Sequence, residues 1–225
     1  MTSIAYSVHP VPRTVGTVNT DRRASRWDAH RRTRRAELTD AAVLAIREHG
    51  AGVGMDEVAA RAGTSKTVVY RHFGDRTELY AAVCARVAEV LVGQIRRAVD
   101  GAESPHAQTR AAIEAYLALI ESDREVYRFV VHRPLVPALE ADPVADLVSL
   151  LGDQAAALIA PHLARSGHDP AAAVPWGHGV VGLVRGAADR WLARPGPMSR
   201  DELARHLTDL AWTGLSGVVT AGGST

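Results

Sequence analysis

Ala62-Gly63-Thr64-Ser65-Lys66-Thr67-Val68-Val69-Tyr70-Arg71-His72-Phe73 is the stretch that decides the fold. Gly63 can take the positive φ of a tight turn without a Cβ clash. Ser65 is a good N-cap for a helix starting at Lys66. Just upstream, Met55–Ala62 carries Asp56 and Glu57 in a first turn, where the helix dipole favours acids. Two short helices around a turn glycine read as a helix-turn-helix. In that motif the second helix enters the DNA major groove and the first crosses the backbone.

The neighbouring sequence extends the helical reading in both directions. A helix over about residues 29–49 places Leu38, Ala41, Ala42, Ala45 and Ile46 on one face and stops at Gly50. Asp75 is placed to cap a long helix over about 76–99, with Leu79, Val83, Val87, Val90, Leu91 and Ile95 at three- and four-residue steps. Further helices are expected over 106–122, 127–132, 143–166, 171–192 and 200–219. Pro134 and Pro137 should stop the short one, and Pro161 should kink or end the one it sits in. Pro195 and Pro197 separate the last two. No strand pairing, hairpin signal or internal repeat is visible, so the fold class is all-α.

Composition agrees. Among 225 residues, 47% are apolar but only seven are Phe or Tyr, which favours close-packed helices over a sheet. Lys66 is the single lysine beside 25 arginines. The net charge of +1 conceals a split: residues 22–76 carry twelve Lys/Arg against seven Asp/Glu, and residues 77–225 carry thirteen against seventeen. A basic front and an acidic remainder fit a front that meets a polyanion. Cys84, the lone cysteine, has no disulfide partner and lies on an apolar helical face. No uninterrupted apolar run reaches the ~18–20 residues of a membrane helix, and no signal-peptide pattern opens the chain. A cytoplasmic protein with no membrane partner is expected.

The DNA-binding candidates follow from chemistry. Thr64, Ser65 and the helix N-terminus can bond phosphate, and Lys66 adds a point charge. Thr67, Val68 and Arg71 are placed to reach base edges, Arg71 through a bidentate contact to guanine. Tyr70 and His72 suit phosphates, with Arg31, Arg35 and Arg76 as flanking cations. Val58, Ala59, Val69 and Phe73 should pack the two helices. An enzyme finds little support: His106, His132, His162, His168 and His178 form no HExxH spacing, and one cysteine cannot build a thiolate zinc cage. No catalytic residue, metal site or cofactor is expected. A helical adaptor that does not bind DNA is the other alternative.

Asp40-Ala41-Ala42, Gly50, Val58-Ala59-Ala60-Arg61-Ala62-Gly63-Thr64-Ser65-Lys66, Val69-Tyr70-Arg71-His72-Phe73, Arg76 and Leu79 together resemble the TetR family of transcriptional regulators. The chain departs from that family's pattern in lacking an aromatic at Ile46 and Ala51, and in Thr67-Val68 where Gly-Thr is common. Residues 1–25 hold Pro10, Pro12 and Gly16 with little periodicity and read as a flexible arm with a basic end, and the resemblance implies a three-helix DNA-binding head (26–75) and a C-terminal effector-binding and dimerisation domain (76–225). It implies a homodimer on a palindromic double-stranded DNA operator, and a repressor released by a small apolar effector. The expected pocket liners are Leu91, Ile95, Tyr116, Ile120, Tyr127, Phe129, Val130, Leu147, Leu151, Leu158 and Trp176. Glycines crowd the last two helices (Gly177, Gly179, Gly182, Gly186, Gly214, Gly217), although each costs about 1 kcal/mol against Ala. That suggests close backbone approach across a dimer interface with Leu183, Leu203, Leu207, Leu210 and Leu215. Residues 120–129 and 191–216 are similar to lipid-metabolism members of the family, which suggests a fatty acyl-CoA effector. Arg128 and Arg133 are candidate partners for its phosphates.

Overall fold

The computed structural model describes residues 18–132, 142–194 and 196–221, with side chains described for 27–131, 142–194 and 196–214. The arm before Val18, the side chains of Arg22, Arg23, Arg26, His132, Leu215 and Gly217, and residues Arg133, Pro134, Pro137 and Pro195 lie outside these. The described residues are helical throughout, with no strand. The order is α1 (Val18–His49), α2 (Met55–Arg61), α3 (Lys66–Phe73), α4 (Arg76–Asp100), α5 (Pro105–Ser122), α6 (Arg124–His132), α7 (Pro143–Arg165), α8 (Ala173–Ala193) and α9 (Arg200–Ala221). A single 3-10 turn, Pro170–Ala172, precedes α8.

Caps and turns set the boundaries. Gly63 has φ 61°, the left-handed turn value expected of it. Asp75 caps α4 by accepting the Glu78 N–H at 2.9 Å, and Ser104 and Asp142 cap α5 and α7 in the same way. Two boundaries differ from the sequence reading. α1 begins at Val18, so the last eight residues of the expected arm are helical. α7 runs through Pro161 to Arg165. The four residues beyond the proline keep the helix because Leu163 is buried against the base of α8.

The head core joins Leu38, Ala42 and Ile46 of α1 to Val58 of α2, Val69 and Phe73 of α3, and Tyr80 and Val83 of α4. All eight are fully buried. Cys84 is buried beside them, as expected. The core does not end at the head. Val126, Phe129 and Val130 of α6 belong to it, and the Tyr80 hydroxyl donates to the Val130 carbonyl at 2.7 Å. A second core ties α5 (Ile113, Leu117, Ile120) to α8 (Val184, Ala188) and α9 (Leu203, Ala204, Leu207).

α7 and α8 form an antiparallel pair, and Gly177 is its closest point. A methyl group there would sit 2.5 Å from the Gly152 carbonyl oxygen and 2.5 Å from the Ala156 nitrogen. Gly177 therefore serves packing within the chain and not a dimer face. α7 is also long and apolar enough, by length and composition, to cross a membrane. Here only 11% of that apolar window is buried: Leu163 packs against α8, Leu147 and Leu151 line the interior that α4 and α5 enclose, and Leu150 and Leu158 are exposed.

Candidate nucleic-acid interface and internal cavity

α3 buries Val69 and Phe73 completely and leaves Lys66, Thr67, Tyr70 and Arg71 exposed, while Val68 is half-buried. The four exposed side chains flank the helix start and one open face. Ser65 occupies the N-cap, yet its side chain makes no cap hydrogen bond, so the hydroxyl is open toward whatever approaches the helix start. Arg31 is exposed on α1. His72 is half-buried. Burial pushes its pKa below the usual imidazole range, and the positive charges of Arg71, Arg34, Arg31 and Arg35 push it further. The surface around α3 thus concentrates cations, as an anion-binding face requires.

Three of the expected contacts already have other partners. Arg35 stacks on the Phe73 ring at 4.7 Å from its centroid, donates to the His72 carbonyl and reaches Glu78 at 3.3 Å. It pins α1 to α3. Arg76 donates to the Val53 carbonyl at 3.1 Å, holding the loop before α2. Lys66 pairs with Asp56 at 2.8 Å. Arg34 belongs to the cationic cluster although the sequence reading did not select it.

Beneath the head lies a cavity of about 690 Å³. Its wall along α4 runs from Arg86 to Asp100, about 20 Å at 1.5 Å per residue. Leu91, Ile95, Tyr116, Ile120, Tyr127, Val130, Leu147, Leu151 and Leu158 line it. Phe129 and Trp176 do not. Phe129 lies in the head core at 5.6 Å from the Tyr80 ring, and Trp176 packs with Ala156 and Leu163 between α7 and α8. Both are apolar residues on the wrong face of their helices.

The sequence reading missed the floor. Asp40, Val43, Leu44 and Arg47 of α1 all line the cavity. They stand at i, i+3, i+4 and i+7, a single helical stripe. It lies opposite the Leu38–Ile46 face that packs the head. Arg47 donates from Nε and Nη2 to both carboxylate oxygens of Asp123, each at 2.6 Å. Arg86 of α4 donates to Asp40 at 2.8 Å and to Glu89 at 2.9 Å. Two ion pairs between head and body therefore bracket the floor. Higher on the wall, Tyr127 donates to Asp189, and Tyr116 lies 3.2 Å from the Tyr127 oxygen.

The expected dimer face divides in two. Leu203 and Leu207 are buried within the chain against α5, which removes them from any interface. Gly182, Leu183, Gly186, Leu210 and Gly214 are exposed, and Gly179, Gly182, Gly186 and Gly214 have nothing within 4 Å of a notional Cβ. Arg128 pairs with Glu125 at 2.6 Å and does not line the cavity. His178 pairs with Asp153 at 3.1 Å, and no cluster of metal-ligating side chains occurs among the described residues.

An all-helical chain with this head is a helix-turn-helix transcriptional regulator. Residues 38–83 match the model of bacterial regulatory proteins of the tetR family, and residues 94–224 match the tetracyclin repressor-like C-terminal domain. The chain is 37% identical over 213 residues to an uncharacterised HTH-type transcriptional regulator of Mycobacterium tuberculosis, covering 92% of this chain and 88% of that one. It is 33% identical over 187 residues to the HTH-type transcriptional activator FasR of Mycolicibacterium smegmatis, covering 82% and 84%. A solved TetR-like regulator from Rhodococcus sp. RHA1 superposes with a TM-score of 0.60 at 27% identity, covering 82% of this chain and 96% of that one. The chain belongs to the TetR family.

Proposed function

We propose that this regulator is a homodimeric repressor whose hold on a palindromic operator is released by an apolar effector in the 690 Å³ cavity. The observation that carries the reading is the cavity floor. Val43 and Leu44 belong to the head's own first helix, so an effector that fills the cavity presses directly on the element that orients α3. Displacing α1 strains the Arg47–Asp123 and Asp40–Arg86 pairs, which makes release the expected sign. A lining dominated by aliphatic side chains selects an apolar ligand, and a fatty acyl chain has the elongated shape that a 20 Å wall accommodates.

Asp123→Asn is expected to leave effector affinity nearly unchanged while reducing the effector's influence on operator affinity about fivefold to tenfold, because coupling is a free energy shared between the two sites. Fluorescence anisotropy of labelled operator, titrated with palmitoyl-CoA, reads this directly. Tighter operator binding on titration would contradict release, and no response to any apolar compound would contradict the effector reading.

On DNA, Thr67 and Arg71 read base edges, while Ser65, Lys66, Tyr70 and Arg31 hold phosphates. Arg71→Ala is expected to lose about 1–3 kcal/mol at one base pair per half-site and to relax preference there. Lys66→Ala should weaken all sequences alike. A binding-site selection experiment on each variant separates the two roles, and an unchanged preference for Arg71→Ala removes it from the base-reading set. Gly182, Leu183, Gly186, Leu210 and Gly214 form the contact with a second copy.

A further inference from the structure

The Tyr116–Tyr127–Asp189 chain has a fixed proton direction. A carboxylate only accepts, so the single hydroxyl proton of Tyr127 is committed to Asp189. The Tyr127 oxygen is then left as an acceptor, and the contact at 3.2 Å requires Tyr116 to donate to it. Both protons are spent. What remains of the chain is the pair of lone pairs on the Tyr116 oxygen. Tyr116 and Tyr127 both line the cavity, within a wall otherwise built there from Ile113, Ile120 and Val184. Burial raises the Tyr116 pKa, so the hydroxyl stays neutral.

Arg185 lines the same wall. Its Nε faces Asp189 at 3.9 Å, and its terminal nitrogens make no hydrogen bond to the described residues. The wall thus offers one acceptor without a proton and one donor group. A ligand oxygen that meets both must itself donate and accept. A hydroxyl does so. A ketone, ester or thioester oxygen accepts only and leaves the Tyr116 oxygen desolvated and unpaired.

We propose that Tyr116 and Arg185 form a polar subsite for a hydroxyl group carried on an apolar ligand, with Tyr116 accepting its proton and Arg185 donating to its oxygen. The proposal rests on the effector-cavity reading and narrows the effector to an apolar molecule, a fatty acyl chain included, that carries a hydroxyl group along its apolar part. Tyr127 and Asp189 are positioning residues. The polar atoms of these two are engaged with each other and with Tyr116, and they dictate which way Tyr116 points its proton.

Cyclododecanol and cyclododecanone share one ring, and only the alcohol carries an O–H donor, so they test the direction of the chain. Calorimetric titration of the full-length protein should show the alcohol binding on the order of tenfold tighter than the ketone. Tyr116→Phe should bring the two affinities together. Tyr127→Phe frees the Tyr116 proton, so Tyr116 can donate to the ketone oxygen while its own oxygen still accepts from the alcohol; the preference should collapse through a gain in ketone affinity, a gain that a merely structural role for Tyr127 would not produce. Equal affinities in the unaltered protein, or no gain in ketone affinity in Tyr127→Phe, would overturn the subsite while leaving the apolar cavity standing. Failure of both compounds to bind would overturn the cavity reading with it.

Discussion

Phe73→Ala is expected to destabilise the head by about 3–5 kcal/mol and to abolish operator binding. The ring is fully buried at the end of α3, where it belongs to a core shared by five helices. Truncation leaves a void that backbone caps at Gly74 and Asp75 prevent from collapsing. It also removes the surface over which Arg35 lies, 4.7 Å from the ring centroid, and so loosens the tie between α1 and α3. For a chain of this length the melting temperature should fall by about 10 °C. Thermal denaturation followed by circular dichroism measures the loss, and Phe73→Leu, which keeps most of the volume, should lose about 1 kcal/mol. A Phe73→Ala protein with an unchanged melting temperature would show that the head is not held from this residue.

Gly177→Leu has the second large effect. The notional Cβ falls 2.5 Å from two backbone atoms of α7, and backbone in a helix cannot step aside as a side-chain tip can. α7 and α8 must separate, at a cost of about 3 kcal/mol. Gly182→Leu is the control. Nothing lies within 4 Å of its notional Cβ, so the fold should tolerate it and the proposed dimer should not. Sedimentation velocity of Gly182→Leu is expected to show a stable monomer, whereas Gly177→Leu should lose stability before it loses association. A dimeric Gly182→Leu protein would move the interface elsewhere.

The head was legible because its signals are local. Gly63, Ser65 and Asp75 each mark a boundary by their own backbone chemistry, and the Val58, Val69 and Phe73 spacing identifies the packed faces. The start of α1 carried no such mark, since residues 18–28 lack an apolar repeat. Longer-range placement was harder. Periodicity puts Phe129 on an apolar face but does not say whether a cavity or a core covers it. Leu203, Leu207 and Leu210 stand at i, i+4 and i+7 on one helical stripe, yet the first two are buried and the third is exposed, because what covers each turn changes along the helix axis and spacing does not record it. The Arg47–Asp123 pair joins residues 76 apart in sequence, beyond any spacing rule. The floor stripe was readable in principle: Val43 and Leu44 are apolar on the face away from Leu38 and Ile46, and a helix with two apolar faces has two neighbours.

Lys66 arrives at any polyanion with its charge already matched by Asp56 at 2.8 Å. A phosphate that takes the ammonium must first evict the carboxylate, and that carboxylate then collects a cation from solution. One phosphate contact is thereby made with little net return of ions to the buffer, since binding at this position swaps partners and does not release a counterion. The ionic-strength dependence of operator binding should count one fewer contact than the interface contains. Asp56→Asn would restore the missing unit to the slope, and so tune the regulator's response to cellular salt without altering a base it reads.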